Sequence, residues 1–264
     1  MSNQVTKKYQ ELLDLLRTLP KLAVAYSGGV DSTLLCHAAS TAKGPEQVLV
    51  LLATSCLLSR QTVLAAEDVI NSFFPATTRF HQVDIDPLAD RAFAANDRQR
   101  CYLCKSRIYD RLLAEMYRLG FSTLIDGTNL DDLNQTRPGL RALQERGIRI
   151  PLVEIGFTKA DIREAARQSG LPNAELPSNS CLATRIATGT AISRERLSEI
   201  ERWEEEVHSA GFPGCRVRPR GDHVHLEVQE AHWKRLADPA MRSRIAAYFQ
   251  AIGFATVAVD LVGR

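Results

Sequence analysis

Tyr26-Ser27-Gly28-Gly29-Val30-Asp31-Ser32 lies between a short apolar run, Leu22-Ala23-Val24-Ala25, and a segment that reads as a helix, Ser32-Thr33-Leu34-Leu35-Cys36-His37-Ala38-Ala39. A wholly apolar run of this length fits a strand covered by helices on both faces. Two adjacent glycines let the backbone turn sharply and bring its N–H groups to an anion, and the helix start adds partial positive charge. Ser27 and Ser32 add hydroxyl donors. Asp31 would repel a bare phosphate, so the pattern implies a Mg²⁺ ion bridging carboxylate and phosphates. A glycine turn alone is equally a plain strand-to-helix connection.

Outward from this turn, strands and helices alternate. Leu12, Leu15, Leu16 and Leu19 keep helical spacing over 7–19, and 48–54, 79–85 and 123–128 read as strands between helices at 59–74 and 104–119. This alternation predicts an α/β fold, a doubly wound parallel sheet whose ligands sit at the carboxyl ends of the strands. Thr54 and Gly127-Thr128 fall at such ends, as the glycine turn does. Thr158 and Asp161 form a capping-box pattern opening a helix through 169. Residues 172–190 have loop composition, and beyond them a helix over 193–209, strands near 215–219 and 223–228, a helix over 231–250 and a strand at 255–261 are expected. The expected domains are 1–190, the nucleotide-loop domain, and 191–264, a small C-terminal α+β domain.

The 264 residues are 45% hydrophobic, enough for a full core, with 33 basic and 31 acidic side chains for a net charge of +2. That balance offers no global field for a polyanion, so no nucleic-acid partner is expected. Neither a signal peptide nor a run of about 18 apolar residues is found, so a cytoplasmic location and no membrane partner are expected.

Six cysteines in a reducing compartment suit thiol, metal or catalytic roles better than disulfides. Cys101 and Cys104 form a CxxC within Arg100–Lys105, which fits a redox pair, half of a zinc site or part of an iron–sulfur site. Cys181 could complete a three-thiolate set; small buried apolar roles fit these cysteines equally well. Cys36 and Cys56 read as packing residues, and Cys215 carries no assigned role. If Cys181 attacks as a thiolate it needs a nearby cation, and Arg185 lies four residues on. Arg216 and Arg218 share one face of a strand and can grip a phosphate, with Glu227 raising the same question. Asp131 and Asp132 could bind Mg²⁺ or cap a turn. Arg137 and Arg141, spaced i, i+4, could face a ligand or neutralise those carboxylates.

The string Ser27–Ser32, SGGVDS, resembles the signature of the PP-loop ATP pyrophosphatases, adenine nucleotide hydrolase-like proteins that cleave ATP between its α and β phosphates and activate a substrate oxygen as an adenylate. Three further strings, RCYLCK at 100–105, DGTNLDD at 126–132 with RPGLRAL at 137–143, and SCLATRI at 180–186, make the whole chain similar to the LarE family, the sulfur-insertion enzymes of nickel-pincer nucleotide biosynthesis. The resemblance implies ATP and Mg²⁺ held by Ser27, Gly28, Gly29, Val30, Asp31, Ser32, Thr54, Gly127 and Thr128. It implies adenylation of a pyridinium-3,5-biscarboxylate mononucleotide, with Arg216, Arg218 and Glu227 near the substrate phosphate. Cys181 matches the family's sulfur-donating cysteine. Because Cys101 and Cys104 are also present, the chain resembles the three-cysteine form, in which the trio is thought to hold a [4Fe–4S] cluster carrying a transferable sulfide. Homo-oligomers, formed partly through the small domain, are implied by resemblance alone. The alternatives are a tRNA thiolase, a nitrogen-inserting synthetase on the same loop, and a nucleotide sensor without catalysis.

Overall fold

The structure is a computed structural model and describes residues 3–133, 138–177 and 179–261; Arg137 and Ser178 lie outside the described residues. The chain divides into two units, Met1–Pro87 with Gln99–Ser178, and Leu88–Arg98 with Asn179–Arg264.

In the first unit, β1 (Leu22–Tyr26), β2 (Val48–Thr54), β3 (Arg79–Asp84) and β4 (Thr123–Asp126) form an all-parallel sheet in the order β3-β2-β1-β4. Leu22 stands beside Val48 on one side and Thr123 on the other. This is the α/β sheet expected from the sequence. Alternation along the strands splits the core by face. Leu22, Val24, Tyr26, Val48, Val50 and Leu52 pack with the helices Asn3–Thr18, Val30–Lys43, Arg60–Phe73 and Lys159–Gln168. Ala23, Leu49, Leu51 and Leu124 pack with Tyr109, Leu112 and Met116 of the helix Arg100–Arg118 and Leu143 of the helix Pro138–Glu145. The chain moves from β1 outward to β2 and β3, then returns to the far side of β1 as β4. The crevice between the ends of β1 and β4 is therefore the topological switch point, where open α/β sheets bind ligands.

The helix expected over 104–119 starts at Arg100, so Cys101 and Cys104 both lie within its first five residues. The helix Lys159–Gln168 carries the expected capping box between Thr158 and Asp161.

In the second unit, β5 (Arg216–Arg220) pairs antiparallel with β6 (His223–Glu227), and β7 (Thr256–Val259) pairs parallel with β6. The helix Arg194–Ser209, capped by Ser193, contributes Ile200, Trp203 and Val207 to a core with Phe249 and Phe254. The helix expected over 231–250 is broken: Trp233–Leu236 ends before Asp238, which caps the helix Pro239–Ala251. Pro239 has no N–H to donate to a continuing helix, so it sits at the first turn of a new one. Residues 88–98 join this unit through Asn96, whose side chain donates to the carbonyls of Ala187 and Thr190 at 2.8 and 2.7 Å.

Gly28 has φ +76°, and a Cβ there would lie 2.7 Å from the Cβ of Ala66 on the helix Arg60–Phe73. Gly28→Ala should cost about 3 kcal/mol in urea-induced unfolding, summing left-handed strain and overpacking. Gly29, at φ −74° with nothing nearer than 3.5 Å to a Cβ, should tolerate alanine within about 1 kcal/mol.

Candidate active site

At the β1–β4 crevice the first unit forms an open cleft walled by Ser27, Asp31, Ser32, Lys105, Asp126, Gly127, Thr128, Asp132 and Gly139. The turn after β1 builds one side. Ser32 Oγ lies 3.2 Å from the Ser27 N–H and 3.1 Å from Ser27 Oγ, and donates to the Gly29 carbonyl at 3.0 Å. Gly29 caps the helix Val30–Lys43 without a side-chain acceptor, leaving the first N–H groups of that helix for an anion. From across the first unit, Asn173 Nδ2 donates to the Gly28 carbonyl at 2.9 Å and to Thr33 Oγ1 at 2.8 Å, pinning the turn from behind. Gly127 builds the other side: a Cβ there would lie 2.9 Å from the Ser32 nitrogen, so only glycine lets β4 end against the helix start.

Charge in the cleft is arranged in pairs. Lys159 Nζ sits 2.6 Å from Asp31 Oδ1, and Asn129 Nδ2 donates to Asp31 Oδ2 at 3.3 Å. Burial pushes the Asp31 carboxyl up; Lys159 opposes the shift and the nearby Asp132 adds to it. Asp131 turns away, accepting the Lys159 backbone N–H at 2.7 Å, whereas Asp132 faces the cleft. The last two acidic residues of DGTNLDD, Asp131 and Asp132, thus divide into a backbone cap and a cleft carboxylate. On the opposite wall, Lys105 Nζ donates to Tyr109 Oη at 2.9 Å, Tyr109 donates to Asp126 Oδ2 at 2.7 Å, and the Thr128 N–H donates to Asp126 Oδ1 at 2.9 Å. Burial works against the Lys105 ammonium, but Tyr109, Asp126 and Cys104 more than offset it and hold its pKa above the usual lysine range.

Thr54 ends β2 on the far side of β1, with Oγ1 3.4 Å from Asp84 Oδ1, and is not part of the cleft wall. Arg141 stacks on the ring of Tyr102, 3.7 Å from its centroid, and pairs with Glu145 at 3.3 Å, so it ties the helix Pro138–Glu145 to the CxxC helix and does not reach Asp131 or Asp132. All six cysteines are thiols; Cys101 is exposed, Cys104 and Cys181 are half-buried, and Cys36 and Cys215 are buried. Among the described residues no three His, Cys, Asp or Glu side chains gather as a metal group.

Cys181 belongs to the second unit and opens the short turn Leu182–Arg185. Arg185, expected as an activating cation, is 2% exposed and grips Glu204 with Nε and Nη2 at 2.7 and 3.2 Å, while Nη1 donates to the Ser180 and Cys181 carbonyls at 2.8 and 3.2 Å. Glu204 also accepts the Val217 N–H at 3.0 Å. In this arrangement the guanidinium holds the backbone of the Cys181 loop. Arg216, Arg218 and Arg220 share one face of β5, with Glu227 across from Arg216. Arg218 is ion-paired to Glu227 and donates to the Thr184 carbonyl, and Arg220 donates to the Arg185 carbonyl at 3.1 Å. Of the phosphate-gripping pair read from the sequence, Arg218 therefore lies against the turn that follows Cys181, whereas Arg216 faces Glu227.

The chain is 30% identical, over its full length and 93% of the relative, to the pyridinium-3,5-bisthiocarboxylic acid mononucleotide synthase of Lactiplantibacillus plantarum. The chain belongs to the LarE family. Two uncharacterized proteins are also similar to this LarE-family chain: one of Synechocystis sp. at 31% identity over 97% of the chain and 94% of the relative, and one of Methanocaldococcus jannaschii at 29% over 91% and 89%. No family model matches the chain.

Lys105, Asp126, Tyr109, Lys159 and Asn173 were not singled out in the sequence, and Asn129 was placed only at the end of a strand. Lys105, Asp126 and Asn129 stood inside quoted strings, and Lys159 directly follows the cap Thr158. Asn173 carries no sequence signal, because its role is a contact 140 residues away with Thr33.

Arg185→Met should destabilise the second unit by about 3–5 kcal/mol in chemical denaturation, since it strands Glu204 as a buried charge. Arg141→Ala, at a mostly exposed pair, should change stability by about 1 kcal/mol at most.

Proposed function

We propose that this chain is an ATP-dependent sulfur transferase that adenylates the carboxylates of pyridinium-3,5-biscarboxylate mononucleotide and converts them to thiocarboxylates, releasing AMP and pyrophosphate. One observation carries this reading: the SGGVDS turn, Lys105 and Lys159 converge on the switch-point cleft, in a chain aligned along its length with a relative named for the bisthiocarboxylic product. A substrate carboxylate oxygen attacks the α phosphorus, and the bond to the β-phosphate oxygen breaks. The developing charge on pyrophosphate meets the N–H groups after Gly29 and the ammonium of Lys105. Lys159, already paired to Asp31, is placed to exchange that carboxylate for a phosphate.

The residues fit Mg²⁺: Asp31 already binds a cation through Oδ1, and its repulsion with Asp132 is what a divalent ion would relieve. Bound there, the ion would neutralise phosphate charge. Sulfur then displaces AMP at the acyl carbon. The likeness to the three-cysteine form of the family supports assigning the thiols Cys101, Cys104 and Cys181 to a [4Fe–4S] cluster, which would supply a transferable sulfide. Near the start of their helix, Cys101 and Cys104 are i, i+3 neighbours and present two thiols from one face. In the second unit, Arg216 and Arg218 would hold the nucleotide phosphate beside the Cys181 loop. The same reading gives a cytoplasmic homo-oligomer with a small-molecule substrate and no nucleic-acid partner; no described helix is long and apolar enough to cross a membrane.

Asp31→Asn should lower substrate-dependent pyrophosphate release by about 100-fold or more. Unchanged release would remove the ATP-activating role, and ATP binding without release in the wild type would leave a nucleotide sensor. Anaerobically prepared protein should carry about four irons and matching labile sulfide, lost in Cys101→Ala and Cys181→Ala. No iron after reconstitution would return Cys181 to sacrificial donor.

A further inference from the structure

Tyr109 has no place in the sequence motifs, yet it stands at the centre of a hydrogen-bond chain linking the CxxC helix to the end of β4. Its ring is 2% exposed, packed among Leu112, Met116, Leu124 and Leu143, so the hydroxyl has one direction available. Oη lies 2.7 Å from Asp126 Oδ2 and 2.9 Å from Lys105 Nζ. Since the ammonium is donor only, Tyr109 accepts from Lys105 and must donate to Asp126. Asp126 cannot swing away to meet Lys105, because its other oxygen takes the Thr128 N–H at 2.9 Å. The lysine stem is confined as well: a Cβ at Gly139 would lie 3.1 Å from Lys105 Cγ.

We propose that Tyr109 is a positioning residue for the adenylation step: through its hydroxyl it fixes the Lys105 ammonium at the mouth of the β1–β4 crevice, in the place where pyrophosphate charge develops. A free lysine holds many rotamers, and a cation that must first be ordered contributes less to a transition state than one already in place. The chain Thr128–Asp126–Tyr109–Lys105 supplies that order before any nucleotide binds. It also sets Lys105 beside Cys104, so one helical turn presents both the cleft cation and a cysteine of the sulfur-handling motif.

This rests on the ATP-activating reading above. The test measures pyrophosphate release by full-length protein with ATP and pyridinium-3,5-biscarboxylate mononucleotide, comparing wild type, Tyr109→Phe, Lys105→Met and the double variant. Lys105→Met should lower kcat/KM for ATP by about 100-fold and Tyr109→Phe by about 10-fold, the latter mainly in kcat, with the double variant no worse than Lys105→Met alone. If Tyr109→Phe stays within about twofold of wild type, or still costs its full factor in the Lys105→Met background, the proposal is overturned. Should Tyr109→Phe fail to fold, Asp126→Asn takes its place in the same cycle, with the same masking by Lys105→Met expected and additivity overturning it. A wild type that releases no pyrophosphate would instead overturn the underlying reading.

Discussion

The site depends on a close approach of backbone to backbone between the end of β4 and the start of the helix after β1. A Cβ on Gly127 would stand 2.9 Å from the Ser32 nitrogen, and one on Gly28 would stand 2.7 Å from Ala66 Cβ. These two glycines remove side chains from opposite sides of one turn. With both absent, the turn after the central strand seats against the next helix on one side and against the neighbouring parallel strand on the other. The strand order β3-β2-β1-β4 leaves a crevice there, and these close approaches let the turn after β1 and the end of β4 wall it together. Gly29 differs from them, because nothing in the protein fills the space its Cβ would take.

The electrostatics of the cleft follow from the burial of its charged groups. A single desolvated carboxylate would carry a large penalty, and Asp31 meets it with Lys159 and Asn129. Lys105 meets the same penalty with Tyr109 and Asp126. Both charges therefore have partners in the protein, though burial and the nearby Asp132 still push the Asp31 carboxyl up. The second unit uses the opposite economy. Arg185 and Glu204 are both almost wholly buried and satisfy each other and the surrounding backbone, so their charge is spent on shape, holding the Cys181 loop to the helix Arg194–Ser209 and to β5.

Much of this was legible because it rests on short-range patterns. The apolar run before Ser27, the alternation of strands and helices and the Thr158 capping box each depend on neighbours in sequence, and each appears in the fold. The break before Pro239 had a signal too, since proline cannot continue a helix, yet the expectation ran a single helix over 231–250. What could not be read are contacts made by topology. Asn173 meets Gly28 and Thr33 only after the sheet has formed, and Asn96 ties 88–98 to the second unit through carbonyls of Ala187 and Thr190. Arg185 shows the limit most clearly: its spacing from Cys181 is the same whether it activates a thiolate or caps a loop, and only the burial of Glu204 beneath it separates the two.

The two lysines of the cleft have different attachments, and this bears on how the site can respond to a nucleotide. Lys159 holds Asp31 through a direct ion pair at the start of a helix, a contact that a divalent cation would replace outright. Lys105 is held through a neutral hydroxyl, and the carboxylate behind it is itself pinned by Thr128. Under the proposed function, Lys159 would therefore leave Asp31 when that carboxylate takes Mg²⁺, while Lys105 would stay where it stands. One cation would then be free to follow the phosphates, and the other would supply a fixed positive point. Such a division needs Lys105 and the Lys159–Asp31 pair at one crevice, and the crevice has this form because Gly127 lets β4 and the helix start meet while Gly28 lets the turn seat on the helix Arg60–Phe73.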